Sequence, residues 1–385
     1  MKPVKLLFIT IVIIALFAFC SRMTRFNIRP VTSDITNWPM NGGTASRTNY
    51  YPLSLNLPLE LQWVEKASSA IGKTLLAVDS VLYFGTLDGH LNAYSMSDGR
   101  RLDAKRFRYH LTPAYENGNI IIALRYGENT LYNVNLKAGK MIWYTDAGDI
   151  NSEPLVTANG VVVAALYNHI DLYAIGQKTK LWTFETDDQI QSSPALADDN
   201  IIFGSDDGYI YSLDHIHGNL KWQVKTEASV QSTPSYAEEL DRVFVGSSDQ
   251  RLYALDANSG RIEWTYEVSG QIFNGIAFSD NRVIFGSTDR HVYCMDAING
   301  NLEWKFKANS VISTNPLIAK DMVIFGSLDK NLYILSLKDG SILWTRELKG
   351  RIRTSPVVWG DYLFCASENN YLYAFKGSES PDKKE

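Results

Sequence analysis

Residues 246–264 read GSSDQRLYALDANSGRIEW, and this nineteen-residue stretch returns along the chain with small changes. Residues 204–222 read GSDDGYIYSLDHIHGNLKW, residues 286–304 read GSTDRHVYCMDAINGNLEW, and residues 326–344 follow the same pattern. A tryptophan ends each copy, and from Trp143 onward these tryptophans recur every 39–42 residues. A fixed period near 40 residues indicates a repeat architecture, which has to be settled before any local interpretation.

Seven tryptophans mark the period. They are Trp63, Trp143, Trp182, Trp222, Trp264, Trp304 and Trp344. The first two are 80 residues apart, which is two periods, and Ala104 stands at the missing position 41 residues after Trp63. The sequence therefore contains eight anchors, and we expect the large apolar indoles to fill the space between neighbouring units.

Each unit keeps the same internal order. A proline-containing segment such as Ser193-Pro194 precedes an apolar strand that ends at glycine, and a tight turn such as Asp207-Gly208 follows. Asp and Asn tolerate the left-handed backbone that such hairpins require. A second alternating strand, a glycine turn and the tryptophan strand complete the unit. Four short antiparallel strands repeated eight times predict an all-β fold, an eight-bladed β-propeller.

The two ends of the repeat array complement each other. The eighth unit has no tryptophan strand, whereas LELQWVE at residues 59–65 has no strands before it. We predict that this N-terminal strand pairs with the last blade and closes the ring, because an open sheet edge invites aggregation. The predicted domains are a signal peptide (1–20), a linker (21–37), the propeller (38–376) and a polar tail (377–385).

The N-terminus has the composition of an export signal. Lys2 and Lys5 precede an apolar run at residues 6–19, and Cys20 follows. As a helix the run would span about 20 Å, less than the ~30 Å hydrocarbon core of a bilayer. The segment resembles a bacterial lipoprotein signal, which implies lipidation of Cys20 and, because Ser21 is not Asp, an outer-membrane anchor facing the periplasm. An ordinary cleaved signal, giving a soluble periplasmic protein, and an inner-membrane signal anchor remain alternatives.

Composition excludes some classes of function. The chain has 385 residues, with 37 Lys and Arg against 42 Asp and Glu, and its charges form no block of one sign, which argues against nucleic-acid binding. Cys294 and Cys365 fall in strand patterns of different repeats and are predicted to be buried, inert thiols. His215 and His217 are expected to be exposed turn residues, and no catalytic residue, metal or cofactor is predicted.

The repeat, clearest at residues 246–264, resembles the pyrroloquinoline-quinone-type propeller repeat, and WPMNGGTASRTNY at residues 38–50 resembles the leader before the first blade of such proteins. One branch of this family consists of quinoprotein dehydrogenases, which bind the quinone and Ca²⁺ in the central channel with a vicinal disulfide. This sequence has no Cys-Cys pair and lacks the long insertions of those enzymes. The non-enzymatic branch includes the BamB lipoproteins of the outer-membrane β-barrel assembly machinery. The resemblance to that branch implies an envelope scaffold, although the blade joints here are shorter and more uniform.

The axial mouth is the expected place for chemistry, because in propellers the loop before each innermost strand rings the axis. The candidate residues are Lys73, His110, Asn151, Glu153, Gln191, Gln231, Asn274, Thr314 and Arg353. They could form a polar pocket in which His110 and Arg353 grip an anion, or they could simply satisfy backbone groups. The leading prediction is a non-enzymatic scaffold that binds envelope proteins, such as the barrel-assembly complex. The alternatives are a small-ligand-binding propeller and a quinone-dependent dehydrogenase that uses the axial pocket.

Overall fold

The computed structural model describes residues 37–377, and the predicted signal peptide and Cys20 lie outside these residues. Within this range the chain forms eight antiparallel sheets, each built on four strands, which are the blades of a β-propeller. The all-β, eight-bladed prediction is confirmed. The one helical element in the described range is a 3-10 turn at Glu238–Leu240, and no helix there is long and apolar enough to cross a membrane.

The blades follow one another along the chain, and their strands run from the axis outward. The strands of blade 1 are Ile71–Val78, Val81–Thr86, His90–Ser95 and Arg101–Arg106. Those of blade 2 are Leu111–Glu116, Asn119–Leu124, Leu131–Asn135 and Lys140–Thr145. Those of blade 3 are Leu155–Thr157, Gly160–Ala165, His169–Tyr173 and Lys180–Glu185. Those of blade 4 are Ala195–Ala197, Asn200–Gly204, Tyr209–Asp214 and Leu220–Lys225.

The second half repeats this order and includes the two strands from the N-terminal segment. The strands of blade 5 are Ser235–Ala237, Arg242–Gly246, Arg251–Asp256 and Ile262–Glu267. Those of blade 6 are Ala277–Ser279, Arg282–Gly286, His291–Asp296 and Leu302–Lys307. Those of blade 7 are Leu317–Ala319, Met322–Gly326, Asn331–Ser336 and Ile342–Glu347, with Tyr50–Tyr51 added in parallel on the axial side. Those of blade 8 are Val357–Trp359, Tyr362–Ala366, Tyr371–Gly377 and Leu59–Lys66.

The ring closes as predicted. Strand Leu59–Lys66 pairs antiparallel with Tyr371–Gly377 and supplies the outer strand of blade 8. Trp63 stands opposite Ala374 in this pairing, and its indole N–H donates to the carbonyl oxygen of Met96 in blade 1 at 2.9 Å. The first strand of the ring and the last blade therefore hold each other in place, and the same tryptophan joins blade 8 to blade 1.

The other tryptophans connect neighbouring blades in the same way. Indole N–H groups donate to carbonyl oxygens of the next blade at 2.8–3.0 Å, and these pairs are Trp143 and Ile175, Trp182 and His215, Trp222 and Ala257, Trp264 and Ala297, and Trp304 and Leu337. The turn glycine of the next blade lies against the ring. A Cβ at Gly260, where φ is 71°, would lie 2.7 Å from the ring of Trp222, so this turn requires glycine. Trp344 instead packs edge-on against Phe375 of blade 8, with ring centroids 5.5 Å apart.

The Asp-led hairpins form, but not for the predicted reason. The positive φ falls on the residue after the Asp, for example Gln250 at 73° and Arg290 at 76°. The Asp side chain instead accepts hydrogen bonds: Asp249 accepts from the backbone N–H of Arg251 at 3.0 Å and from the hydroxyl of Tyr253 at 2.7 Å. The Asp of the repeat therefore ties the turn to the following strand, and the left-handed residue can be of several types.

The two cysteines of the blades lie as the repeat pattern predicts. Cys294 and Cys365 are buried and free, as predicted, and burial raises the pKa of both thiols. Positive charge is locally dense at the outer edge of blade 1, although it forms no unbroken block. Five of the eleven residues 100–110 are Arg or Lys, and they surround Ala104, the one anchor position without an indole.

Candidate functional site at the axial mouth

The leader before the first blade closes one end of the axial channel. Residues 38–49 cross the innermost strands in turn, and their carbonyl oxygens accept backbone N–H groups from blade after blade. The acceptor and donor pairs are Trp38 and Ala77, Pro39 and Tyr115, Ala45 and Leu196, Ser46 and Tyr236, Thr48 and Phe278, and Asn49 and Ile318, at 2.7–3.1 Å. The hydroxyl of Tyr51, just after the leader, also accepts a hydrogen bond from the N–H of Gly360 in blade 8. The leader thus satisfies strand edges that would otherwise face the channel unpaired.

Arg47 anchors the leader at the centre of the ring. Its fully buried guanidinium donates to the carbonyl oxygens of Pro194 at 2.9 Å, Asn41 at 2.7 Å, and Glu153 and Pro154 at 3.2 Å each. Burial lowers the pKa of Arg47 to about 10, while the nearby charge of Glu153 acts in the opposite direction. The side chain therefore stays cationic at neutral pH, and it joins the leader to blades 3 and 4.

Glu153 supplies the matching negative charge. Its carboxylate accepts hydrogen bonds from Thr74 of blade 1 at 2.9 Å and from Ser193 at 2.5 Å. Burial alone would raise the pKa of Glu153, but the charge of Arg47 and hydrogen bonds from Ser193, Asn41 and Thr74 outweigh it, and the pKa is lowered. Glu153 is therefore an anion whose hydrogen-bonding capacity is largely used within the fold.

The open end of the channel is a small polar cavity. It has a volume of about 110 Å³, and seven of the nine predicted residues line it: Lys73, Asn151, Glu153, Gln191, Gln231, Asn274 and Arg353. An adjoining cavity of about 260 Å³ shares Lys73, Gln231, Asn274 and Arg353. Asn41 of the leader also lines the smaller cavity, so the plug forms part of its wall.

Most of these side chains have partners within the protein. Gln191 and Gln231 both donate to the carboxylate of Asp206, at 2.6 and 2.8 Å, and Asn274 donates to the carbonyl oxygen of Ile312 at 3.0 Å. The guanidinium of Arg353 pairs with Glu368. Of these four residues, only Asn274 satisfies a backbone group, and the other three bond carboxylates of neighbouring turns. Whether the mouth also binds a ligand stays a prediction.

Asp206 and Glu368 are mouth residues that the sequence analysis missed. Both occupy the position before the Asp or Asn of the tight turn, where other repeats have Ser248, Thr288 and Leu328. Thr288 and Leu328 line the adjoining cavity. Variation at one position inside an otherwise constant turn is the signal that could have indicated a residue facing the axis.

Two predicted mouth residues do not line either cavity. The hydroxyl of Thr314 is buried and bonds both the N–H and the carbonyl oxygen of Gly326, which is a structural role. The Nε2 of His110 is buried without a hydrogen-bond partner in the described residues, and a Cβ on Gly72 would lie 3.1 Å from it. Burial first, and then the charges of Arg125 and Lys73, lower the pKa of His110, so its ring is neutral at neutral pH and adds no positive charge.

The histidine pair differs from the sequence expectation. His217 is exposed, but His215 is buried, and its ring nitrogens lie 2.8 Å from the hydroxyl of Thr157 and 3.2 Å from the amide of Asn159. The prediction that both are exposed turn residues is wrong for His215. Its side chain turns inward and joins blade 4 to blade 3.

The donor set of the mouth does not fit a quinone with Ca²⁺. Ca²⁺ takes six to eight oxygen ligands and usually several carboxylates. The described residues hold no group of three or more His, Cys, Asp or Glu placed to bind a metal. Glu153 is engaged by Thr74 and Ser193, and the leader is hydrogen-bonded along the innermost strands at the axis. Cys294 and Cys365 lie in blades 6 and 8, so they offer no vicinal disulfide.

The eight four-stranded blades, the repeat ending in an interlocking tryptophan and the axial leader define a propeller of the pyrroloquinoline-quinone-type repeat class. The chain belongs to the family described as outer membrane protein assembly factor BamB, whose profile matches residues 59–224 and 206–383.

Individual relatives are distant. The BamB proteins of Escherichia coli strain K12 and Shigella dysenteriae serotype 1 are each 26% identical over 130 residues, which cover 33% of this chain and 32% of theirs. The chain thus spans about a third of the length of the curated relatives it matches.

Solved structures share the fold across both branches. BamB from Moraxella catarrhalis has a TM-score of 0.70 and 18% identity, covering 83% of this chain and all (100%) of that one. The quinohemoprotein alcohol dehydrogenase ADHIIG from Pseudomonas putida HK5 has a TM-score of 0.77 and 12% identity, covering 90% of this chain and 81% of that one. At these identities the likeness shows the fold alone.

Proposed function

We propose that this protein is a non-enzymatic scaffold of the cell envelope that binds partner proteins during outer-membrane protein assembly. Membership of the BamB family carries the proposal. Two features of the site support it. The leader closes one end of the channel, and the half-buried carboxylate of Glu153 at the mouth lies near the charge of Arg47 and accepts hydrogen bonds from two hydroxyls of the fold.

We place the scaffold at the outer membrane, facing the periplasm and anchored by a lipid on Cys20. The support is the lipoprotein-like signal at residues 1–20 together with the family. Labelling cells with a clickable palmitate analogue tests the anchor. Label on the wild-type chain that disappears in Cys20→Ala is expected, and equal labelling of both would refute the anchor.

Co-purification tests the scaffold itself. The tagged full-length chain is extracted from crosslinked cells in mild detergent, and bound proteins are identified by mass spectrometry. We expect components of the outer-membrane barrel-assembly machinery among them. An unrelated envelope lipoprotein carrying the same tag controls for membrane fragments. Recovery of the chain without any assembly component, or equal recovery by the control, would contradict the proposal.

A second candidate function is the binding of a small anionic or zwitterionic ligand at the axial mouth. The observation that favours it is the presence of two cations, Lys73 and Arg353, on the rim of both adjoining cavities. A thermal-shift screen of carboxylates, phosphates and amino acids tests this. A ligand-induced rise in Tm that is lost in Lys73→Met and Arg353→Gln, with the unliganded Tm unchanged, would support it. If no compound in the screen raises the Tm, the ligand-binding function is refuted.

A further inference from the structure

A groove between blades 1 and 2 differs in chemistry from the rest of the surface. We call it the junction groove. It has a volume of about 430 Å³ and lies between the outer strand of blade 1, Arg101–Arg106, and the strands of blade 2. Its cationic lining comes from Lys105, Arg106 and Arg108, and its apolar lining includes Phe107, Tyr132 and Met141.

Positive charge is concentrated here in a chain whose net charge is −5. Lys105, Arg106 and Arg108 take part in none of the ion pairs found in residues 37–377. Glu128 is the one carboxylate among the described residues that line the groove. The lining of the groove therefore has an excess of cations over carboxylates.

The ammonium of Lys105 is the least satisfied of these cations. Its Nζ is buried and has no hydrogen-bond partner in the described part of the chain. Its surroundings are the ring of Phe107, with its centroid 5.7 Å away, and the charge of Asp103, and burial lowers its pKa. By contrast, the ammonium of Lys225 lies 4.2 Å from the centroid of Tyr209 and also donates to the carbonyl oxygen of Asp207 at 2.6 Å. A buried cation without a hydrogen bond is costly, and an incoming anion would remove that cost.

Aromatic side chains line the groove and lie beside it. Tyr109 and Tyr126, each 42% exposed, pack edge to face with ring centroids 6.4 Å apart, and the guanidinium of Arg125 lies 5.3 Å from the centroid of Tyr126. Tyr132, which lines the groove, stacks on the half-exposed Tyr144. Surfaces rich in tyrosine and arginine and poor in acidic residues are typical of the centres of protein interfaces.

The outer strand of blade 1 adds a backbone edge. Arg101–Arg106 is the last strand of its sheet and pairs on one side only, with His90–Ser95. An extended segment can add to such an edge through main-chain hydrogen bonds while its side chains enter adjacent pockets. Ala104 lies within this strand, where the other blades carry a tryptophan that ties them to the next blade. This junction therefore lacks the indole hydrogen bond found at six other junctions within the described residues.

We propose that the junction groove binds an extended acidic segment of a partner protein. Carboxylates of the segment pair with Lys105, Arg106 and Arg108, and an apolar side chain packs against Phe107, Tyr132 and Met141. The inference rests on the proposed scaffold function and names the chemistry of one partner contact. A concave groove with an aromatic wall and a free strand edge suits a peptide better than the flat face of an anionic membrane.

Peptide binding tests the proposal directly. A fluorescein-labelled peptide of sequence Glu-Leu-Glu-Phe-Glu-Leu-Glu is titrated with the full chain and followed by fluorescence anisotropy. The same peptide with Gln in place of Glu is the matched ligand control. We expect the acidic peptide to bind more tightly by about tenfold or more, and its affinity to fall as NaCl rises from about 0.05 M to about 0.5 M.

Variants locate the site. Lys105→Met combined with Arg106→Gln should weaken binding of the acidic peptide by about tenfold or more. Arg346→Gln is the matched control, because Arg346 is an exposed arginine at the end of an outer strand and lines a groove of about 440 Å³ between blades 7 and 8. It should leave the affinity unchanged. Circular dichroism melting curves confirm that each variant is folded.

Three outcomes would overturn the inference. The first is equal affinity for the acidic and Gln peptides, and the second is undiminished peptide binding by the double variant. The third is a double variant that loses binding to anionic vesicles but keeps binding to the peptide. The vesicle arm uses phosphatidylglycerol liposomes, and a variant effect confined to it would assign the cations to lipid. The co-purification experiment above reads out the scaffold function separately. If the wild-type chain and the double variant recover the same assembly proteins, the scaffold stands and the groove assignment fails.

Discussion

The Nε of Arg47 lies 2.9 Å from the carbonyl oxygen of Pro194, so a side chain of the leader reaches the start of blade 4, 147 residues later in the sequence. The same guanidinium reaches Pro154 at the start of blade 3. Glu153, beside it, accepts from Thr74 of blade 1. Two charged residues near the axis therefore connect the leader with blades 1, 3 and 4.

This arrangement gives the leader a structural role besides closing the channel. Strand Leu59–Lys66 closes the ring at its outer edge, and the leader connects the blades at the inner edge. Both contacts bring the N-terminal part of the chain onto blades that follow much later. Because they are long-range, they stabilise the assembled ring and no single blade.

Arg47→Met should destabilise the protein strongly. It removes four hydrogen bonds from a charged donor to backbone carbonyl oxygens near the axis, and unpaired buried groups of this kind cost about 1–3 kcal/mol each, so a loss of about 3 kcal/mol or more is expected. The measurement is the free energy of unfolding from urea titrations. Arg100→Met is the matched control, because Arg100 is exposed and pairs weakly with Asp98, and should cost about 1 kcal/mol or less. Equal effects of the two substitutions would show that the axial pair carries little stability.

Glu153 should make stability depend on pH on the acid side. Its pKa is lowered in the folded state, so the stabilisation it contributes is complete above its ordinary value near 4.5. It is lost as the pH falls from that value through the lower pKa of the folded state. Urea midpoints of the wild type and of Glu153→Gln, measured from neutral to about pH 3, should converge as the solution becomes more acidic. Parallel curves would mean that Glu153 is not the titrating group.

The fold was predictable because the same contact between blades recurs in successive copies of the repeat. Trp222, Trp264 and Trp304 occupy the same place in three blades, so one periodic pattern revealed both the blade count and the interlock between blades. Ring closure followed from counting strands at the two ends. Periodicity is visible in a single sequence because each blade packs against its neighbour in the same way and therefore carries the same residue types at the same positions.

The leader and the mouth were predictable only in part. Arg47 binds backbone carbonyls, which leave no mark in the sequence, so nothing distinguished it from the surface arginines. Counting back from each repeat placed Gln191 and Gln231 at the mouth, but their partner Asp206 lies in a different turn of the repeat. His215 was misjudged because its contacts, Thr157 and Asn159, come from another blade.

Removing one tryptophan should loosen one junction. Trp222→Ala deletes a buried indole and should lower the free energy of unfolding by about 3–5 kcal/mol. Trp222→Phe keeps part of the ring against Gly260 but loses the hydrogen bond to the carbonyl oxygen of Ala257, which should account for about 1 kcal/mol of its effect. Urea titration of both variants checks this order. A Phe variant as unstable as the Ala variant would assign the stability to the hydrogen bond instead of the packing.

The two blade cysteines should report opening of the ring. Cys365 is fully buried in blade 8, the blade closed by strand Leu59–Lys66, and Cys294 is buried in blade 6. Burial raises the pKa of both thiols and removes them from solvent, so neither should react with iodoacetamide in the native protein at neutral pH. Replacing Trp63 by Ala weakens the closing strand and the contact with Met96, and should expose Cys365 before Cys294. Mass spectrometry of alkylated peptides at increasing urea measures that order, with Trp264→Ala as the matched control at another junction. Simultaneous labelling of both cysteines in Trp63→Ala would mean that the ring opens as one cooperative unit instead of at its closing strand.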